Sequence, residues 1–296
     1  MISDRTAPDG ADFEFEAERP RLEGLAYRIT GSRATAEDLV QEAWLRWEGT
    51  DRSVVERPAA WLTTVTSRLA LDHLKSAQHE RETYVGPWLP EVAVAEPGPE
   101  EHAELAESVT IGFLALLERL GPTERVVFLL ADVFATPFDE IATVVGRSPE
   151  ACRQVASRAR ARIREGRPRF APTDEEAWEV ALAFLTAAQV GDVDALVSLL
   201  ADDALAISDG GADHHAARRP VVAARIPRFV VNLTARIPEG AEFVAMPING
   251  EPGIVTYVDG EPHIAVALSV AGGQVQRMWS ILNPQKLKTL TTRPIL

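Results

Sequence analysis

Residues 146–169 read GRSPEACRQVASRARARIREGRPR, eight arginines against two glutamates in a 296-residue chain whose formal net charge is -14. Arginine presents a planar fork of donors that pairs with phosphate oxygens and with the guanine edge, and glutamine does the same for adenine. The chemistry on offer is nucleic-acid recognition. Charge along the chain sharpens this: residues 1–146 sum to -14, residues 147–170 to +6 and residues 171–296 to -6. A diffuse acidic field repels phosphate, so contact with nucleic acid must concentrate where the sign reverses.

Positioning those arginines requires a helix, and the text supplies two. Thr136-Pro137-Phe138-Asp139 combines a capping residue, a proline at the first helical position and an acid placed to close a capping box, so a helix is expected over 137–145. Gly146 ends it, and Ser148-Pro149-Glu150 starts a second helix over 149–164. A short glycine-bearing turn between two helices is a helix-turn-helix candidate. On a helical wheel Ala151, Cys152, Val155, Ala156, Ala159 and Ile163 share one arc, and Glu150, Arg153, Gln154, Ser157, Arg160 and Arg164 share the other. Small inner residues let the helix sit close on its scaffold. The candidate DNA contacts are Arg147, Ser148, Glu150, Arg153, Gln154, Ser157, Arg158 and Arg160, with the N-terminal half toward bases. Arg158, Arg160, Arg162 and Arg164 are placed for phosphates, where they add affinity without sequence information. A merely solvated basic face would need neither the caps nor the small-residue packing.

Helical periodicity also runs through 22–29, 36–47 and, after the polar loop GTDRSVVERP, 59–76. Residues 83–104 are rich in proline and acid and read as a linker. Helical text resumes at 105–120 and 123–133, and another break follows at 166–172. Beyond it come amphipathic helices at 175–190 and 193–200, a short strand at 204–208 and a helix near 220–233. Four alternating runs follow, EFVAMPI, GIVTYV, HIAVALSV and QVQRMWSIL, separated by NGEP, DGEP and AGG turns. The expected architecture is multi-domain: two all-α domains over 15–82 and 105–168, then an α+β domain over 174–290 with a curved antiparallel sheet.

Composition narrows the class further. With 46% hydrophobic and 25% charged residues the chain has material for a packed core. Its single cysteine, Cys152, excludes an internal disulfide and any multi-cysteine zinc site. There is no run of eighteen apolar residues, and MISDRTAPDGADFEFE is acidic where a secretory signal would be basic and then greasy. The expectation is a cytoplasmic protein with no membrane partner, no metal and no cofactor.

Two blocks now line up with a known order. ATAEDLVQEAWLRW, followed by RPAAWLTTVTSRLALDHLKSAQHERE, resembles region two of bacterial extracytoplasmic-function (ECF) sigma factors. LERLGPTERVVFLLADVFATPFDEIATVVGRSPEACRQVASRARARIRE is similar to their region four. The resemblance implies partners, core RNA polymerase and promoter DNA, and roles for residues. Asp38, Gln41, Glu42 and Arg46 match the helix that grips the polymerase clamp, with Leu39, Val40, Ala43 and Trp47 facing inward. The loop at 49–57 and the helix at 59–76 match the element that captures unpaired bases of the -10 region, with Arg52, Trp61, Arg68, His73 and Lys75 as contacts. Splaying a base out of its stack costs a few kcal/mol, which stacking and cationic groups can offset. Trp44 and Trp47 are expected in the core. Ser67 stands where many relatives have asparagine. The 149–164 helix would then read the -35 element.

Residues 174–290 resemble the SnoaL-like cone-shaped α+β fold, which a subgroup of ECF sigma factors carries as a fused extension. Three short motifs mark that subgroup: Trp88-Leu89-Pro90-Glu91 in the linker, Asp209-Gly210-Gly211 after the first strand, and Asn283-Pro284-Gln285-Lys286-Leu287 after the last. Val92, Ala212, Asp213 and Gln285 depart from the residues usual there. By resemblance the extension regulates in cis, packing over region two and the linker through the Asp209 loop and the 283–287 segment. It would bias a closed state against an open, polymerase-binding one, and it has room for a small-molecule ligand. Two other readings stay open. One is a one-component, ligand-sensing DNA-binding regulator. The other is a cyclase- or isomerase-like enzyme with a DNA-binding appendage, for which DGGADHH offers Asp209, Asp213, His214 and His215. Adjacent histidines point to opposite sides of an extended chain, and fold alone does not license chemistry.

Overall fold

The computed structural model describes residues 10–82, 84, 86–93, 110–164, 174–212, 214 and 216–290. They form two compact units, one of residues up to His79 with Leu120–Arg162, the other of Glu80–Arg119 with Ile163–Leu296. No described helix is long and apolar enough to cross a membrane.

The first unit is helical. Helix α1 (Gly10–Thr30) packs on α2 (Arg33–Glu48), whose start is set by Ser32 accepting from the Thr35 amide. Ala36, Leu39, Val40, Ala43 and Trp47 fill the inner face at the expected spacing. Trp44 differs from expectation: it is half-buried, its ring 6.5 Å edge-on to Phe15 at the margin of the helix pair. A 3-10 turn (Arg52–Val54), capped by Asp51, leads to α3 (Pro58–Glu82). Buried arginines knit α1 to the segment after residue 120. Arg125 donates to the Ile29 carbonyl at 3.0 Å, and Arg28, whose pKa burial lowers to about 10, lies 5.8 Å from the Phe134 ring centre.

The expected single helix over 123–133 is two elements, an α-helix (Pro122–Phe128; α5) and a π turn (Leu129–Val133). One added residue per turn shifts the ladder so that the Phe134 amide bonds the Leu129 carbonyl. The helix-turn-helix then follows as α6 (Phe138–Val145) and α7 (Pro149–Arg164). Pro137 is the N-cap and not the first helical residue, and no side chain caps α6; its first turn is closed by the Pro137 carbonyl alone. Gly146 ends α6 at φ +66, a left-handed conformation that favours glycine. The Ser148 hydroxyl accepts from the Ala151 amide as expected.

In the second unit a six-stranded sheet runs in the order β2-β1-β6-β5-β4-β3. Its strands are β1 (Leu200–Asp209), β2 (Val221–Val222), β3 (Glu242–Ile248), β4 (Glu251–Val258), β5 (Glu261–Ala271) and β6 (Gln274–Ile281). The sheet is not wholly antiparallel: β1 and β6 pair in parallel, because the chain returns to β1 from the far end of a meander. Helices α8 (Asp174–Val190), α9 (Val193–Leu199) and α10 (Ile226–Thr234) cover one face. The expected helix near 220–233 is a short strand, a 3-10 turn and then α10, which starts only at Ile226 with Pro227 in its first turn.

Strand alternation divides the core in two. Val266, Leu268, Val270, Val275 and Met278 face the helices, while Ala265, Ala267, Val255, Tyr257, Trp279 and Ile281 face the other way. That second face is covered by Leu89 and Val92 of the linker, by Ile111 at the start of α4 (Ile111–Leu117), and by Leu287 and Leu290. The linker expected at 83–104 is therefore, over its described part, a strap laid on the sheet.

Candidate nucleic-acid interface and linker clamp

Helix α7 separates its faces as its sequence requires. Cys152, Val155, Ala156, Ala159 and Ile163 are buried, and burial pushes the Cys152 thiol up, which leaves it an unreactive packing residue. Ala151, at the helix margin, is only half-buried. Arg147, Ser148, Glu150, Arg153, Gln154, Ser157 and Arg158 are exposed. Arg153 stands 5.6 Å over the Phe138 ring and 3.7 Å from Glu150, so its fork is aimed from the N-terminal half. Arg160 and Arg162 lean on the scaffold, at 2.7 Å from Asp132 and 2.6 Å from Glu124. Both pairs are partly exposed, and such pairs contribute little, so phosphate can compete for them.

Asp38, Gln41, Glu42 and Arg46 form one exposed stripe on α2, with Arg46 2.5 Å from Glu42. On the neighbouring surface Arg52 lies 5.6 Å over the Trp47 ring, and half-buried Trp61 stacks obliquely on Trp47 at 5.4 Å. His73 is half-buried, and Lys75 is exposed at 3.6 Å from Asp72. Arg68 donates to the Thr143 carbonyl at 2.7 Å, and Arg57 pairs with Glu140 at 2.6 Å, so both cations are occupied by α6. Arg57 and Glu140 were not legible as partners, since residues 83 positions apart leave no periodic signal.

The three short motifs meet at one buried carboxylate. Asp209 accepts from the Tyr84 hydroxyl (2.5 Å), the Leu89 amide (2.8 Å), the Gly211 amide (3.0 Å) and the Lys286 ammonium (2.7 Å). Lys286 also donates to the Leu89 carbonyl, and its Nζ lies 3.9 Å from the Trp88 ring centre and 5.1 Å from that of Tyr84. A desolvated ammonium thus gains a carboxylate, a carbonyl and two aromatic faces. Burial and the Asp209 carboxylate hold the Tyr84 phenol well above its usual range, so it stays a donor. Asn283 caps α11 (Pro284–Leu287) with one oxygen and donates to Tyr84 with its amide (2.9 Å). A Cβ on Gly211, at φ +63, would fall 2.8 Å from that amide, and one on Gly210 2.4 Å from the His214 carbonyl. Both glycines are required by close approach.

The clamp continues along the strap. The Val92 amide donates to the Lys286 carbonyl at 3.2 Å, a bond that a proline at this position would forfeit. Thr289 donates to the Val92 carbonyl, and Ala93 and Asn249 exchange two bonds at 2.9 and 2.7 Å. Pro90 is buried, Glu91 half-buried and Pro284 exposed. Tyr84 and Asn249 were invisible to motif reading because their partners are set by tertiary contact alone.

Glu251 is a further buried group outside the motifs. Ser269 donates to its Oε1, Trp279 Nε1 donates to Ser269 at 2.8 Å, and Gly112 at the start of α4 packs against all three. Burial raises its pKa from 4.5 to about 7, opposed by Ser269 and by the Gly112 and Ile111 amides. The unfolded chain loses this proton near 4.5 and the fold near 7, so stability falls with rising pH across that window and is level above it. The loss amounts to roughly 3 kcal/mol. Glu251→Gln is expected to abolish that fall, measured as urea unfolding midpoints at about pH 5 and pH 8.

The acid–base grouping read from DGGADHH does not assemble around a free carboxylate. Asp209 is consumed by its four donors, Asp213 and His215 lie outside the described residues, and His214 faces His263 edge-on at 6.3 Å. Among the described residues no group of three or more His, Cys, Asp or Glu could hold a metal.

Comparison with known proteins bears on both sites. Residues 15–80 match the family model for Sigma-70 region 2, and residues 112–163 the model for Sigma-70 region 4. The chain is 43% identical over 289 residues, 92% of each chain, to the ECF RNA polymerase sigma factor SigJ of Mycobacterium tuberculosis. It is 33% identical to the probable ECF RNA polymerase sigma factor SigI of the same species, covering 95% of this chain and 96% of the relative. The crystal structure of M. tuberculosis SigJ superposes with a TM-score of 0.75 at 40% identity, covering 94% of this chain and 98% of that one.

Proposed function

The chain belongs to the ECF RNA polymerase sigma factors, which direct core RNA polymerase to promoters and catalyse nothing themselves, and from that premise we propose how its residues divide the work. Arg147, Ser148, Glu150, Arg153, Gln154, Ser157, Arg158 and Arg160 read the -35 duplex from α7, Arg153 and Gln154 at base edges and the later arginines at phosphates. Arg52, Trp61, Arg68, His73 and Lys75 capture -10 bases, and the α2 stripe of Asp38, Gln41, Glu42 and Arg46 binds core polymerase. The working units are 15–82, 105–168 and 174–290, with 83–104 between them.

The C-terminal domain regulates this machinery in cis by holding the connector. The observation that carries the reading is the Asp209–Lys286 pair, which anchors Trp88–Glu91 and ties the three subgroup motifs to one another. A connector pinned at residues 86–93 cannot extend between two DNA-reading domains, so the clamp favours the closed state. Engagement of Arg68 by the Thr143 carbonyl works in the same direction, because one of the cations assigned to the -10 bases is held within the chain. Net negative charge elsewhere suppresses nonspecific DNA binding by the free protein. The domain also retains a small-molecule site, through which a signal reaches the clamp.

Run-off transcription with core polymerase tests the clamp. A chain ending at Leu290 keeps Lys286, Leu287 and the Leu290 contact and should behave as the intact protein. A chain ending at Leu282 loses the clamp and should raise promoter output about fivefold or more, as a closed state that holds most molecules is released. Equal output from the two chains would remove the clamp from the account.

A further inference from the structure

Arg153 and Phe138 come from the two helices of the helix-turn-helix, the arginine from α7 and the ring from the first residue of α6. The guanidinium carbon stands 5.6 Å from the ring centre, and the Glu150 carboxylate, one turn back on α7, lies 3.7 Å from one of its nitrogens. Phe138 is half-buried in the scaffold, whereas the Arg153 side chain is 52% exposed. Among the described residues no hydrogen bond uses the Arg153 donors, while the guanidinium groups of Arg160 and Arg162 are bonded to Asp132 and Glu124 at 2.7 and 2.6 Å. A ring attracts a cation through its face and accepts none of the N–H bonds that lie in the guanidinium plane. An arginine held by a ring therefore keeps its fork for a second partner, which one held by a carboxylate does not. Restraint before docking also removes part of the rotamer freedom that a long side chain would otherwise lose on binding.

We propose that Phe138 is a positioning residue for -35 recognition: its ring, carried by the scaffold helix, holds the Arg153 fork oriented toward a guanine edge in the major groove. Guanine is the base whose O6 and N7 accept both prongs of that fork. The proposal rests on the reading of α7 as the -35 helix and adds to it a residue that reads no base itself. The effect of Phe138 on sequence preference passes through Arg153 alone.

The test uses holoenzyme formed from the intact chain and core polymerase, with a duplex library randomised over the -35 element. Bound templates are sequenced to give a base preference at each position. Arg153→Ala should abolish the guanine preference at one position. Phe138→Leu, which keeps apolar bulk, should lower that same preference about two- to fivefold, the worth of a cation over a ring at an exposed site, and leave the other positions unchanged. Phe138→Tyr, which keeps the ring, should restore it. In the Arg153→Ala background Phe138→Leu should add nothing. A variant that merely weakened the fold would lower binding to all templates alike, so a change confined to one position separates positioning from stability. An unchanged preference in Phe138→Leu, a loss spread evenly across positions, or an effect that persists without Arg153 would each overturn the proposal. If Arg153→Ala itself left every preference intact, the reading of α7 would fall and the proposal with it. The two failures are distinct, because only the first leaves the sensitivity to Arg153 in place.

Discussion

Replacing Asp209 with alanine should destabilise the C-terminal domain by about 3–5 kcal/mol, the penalty for leaving one partner of a buried ion pair behind. The Lys286 side chain is 8% exposed and that of Asp209 not at all, so the stranded ammonium has no path to water without moving α11. The Tyr84 hydroxyl and the Leu89 and Gly211 amides lose their acceptor in the same step. Urea unfolding should show the loss, with fluorescence of Trp88, which stands against Lys286, reporting the clamp. Removing both charges separates pair from penalty. In the Asp209→Ala, Lys286→Met double variant the two effects should fall well short of additive, because no uncompensated charge stays buried. Additivity would mean that the two residues do not act as a pair.

Charge reversal at Arg153 and Arg158 together should lower promoter-directed run-off transcription by about 100-fold or more. A bidentate base contact is worth about 1–3 kcal/mol of discrimination, and turning a phosphate-facing cation into an anion adds repulsion to lost attraction. Both side chains are exposed, and Arg153 touches only the Phe138 ring and Glu150 among the contacts described above. Folding should therefore be nearly unchanged, and urea unfolding of the variant serves as the control. Arg162→Ala gives contrast: its guanidinium leans on Glu124, outside the N-terminal half proposed to read bases, so its loss should weaken binding evenly across promoter sequences. Normal output from the doubly reversed chain would take α7 out of -35 recognition.

What could be read from the residues was whatever local chemistry dictates. The Ser148 cap, the left-handed Gly146 and the small inner residues of α7 each act within a turn or two, and the helix-turn-helix followed from them. Thr136 failed as a cap because α6 starts at Phe138, one residue later than expected, which makes Pro137 the N-cap, and nothing in the pattern of 123–133 marks the π turn before it. The short motifs were legible as three separate words. That they converge on one carboxylate was not, because Tyr84, Asn283 and Lys286 lie up to 199 residues from their partners. The strap escaped for a related reason: Trp88-Leu89 and the run from Val92 sit in text broken by proline and acid with no helical or strand period, and only the sheet face opposite the helices gives Leu89 and Val92 a place to go. Glu251 was legible only as part of the NGEP turn, and its perturbed acidity arises from what packs over it.

Run-off transcription with purified core RNA polymerase on a panel of promoters, with and without the intact chain, bears most directly on the whole account. Initiation at a distinct promoter subset, dependent on the chain and lost on competition with a primary sigma factor for core, is the result expected. Failure of the chain to associate with core, or initiation with no preference among promoters, would contradict it.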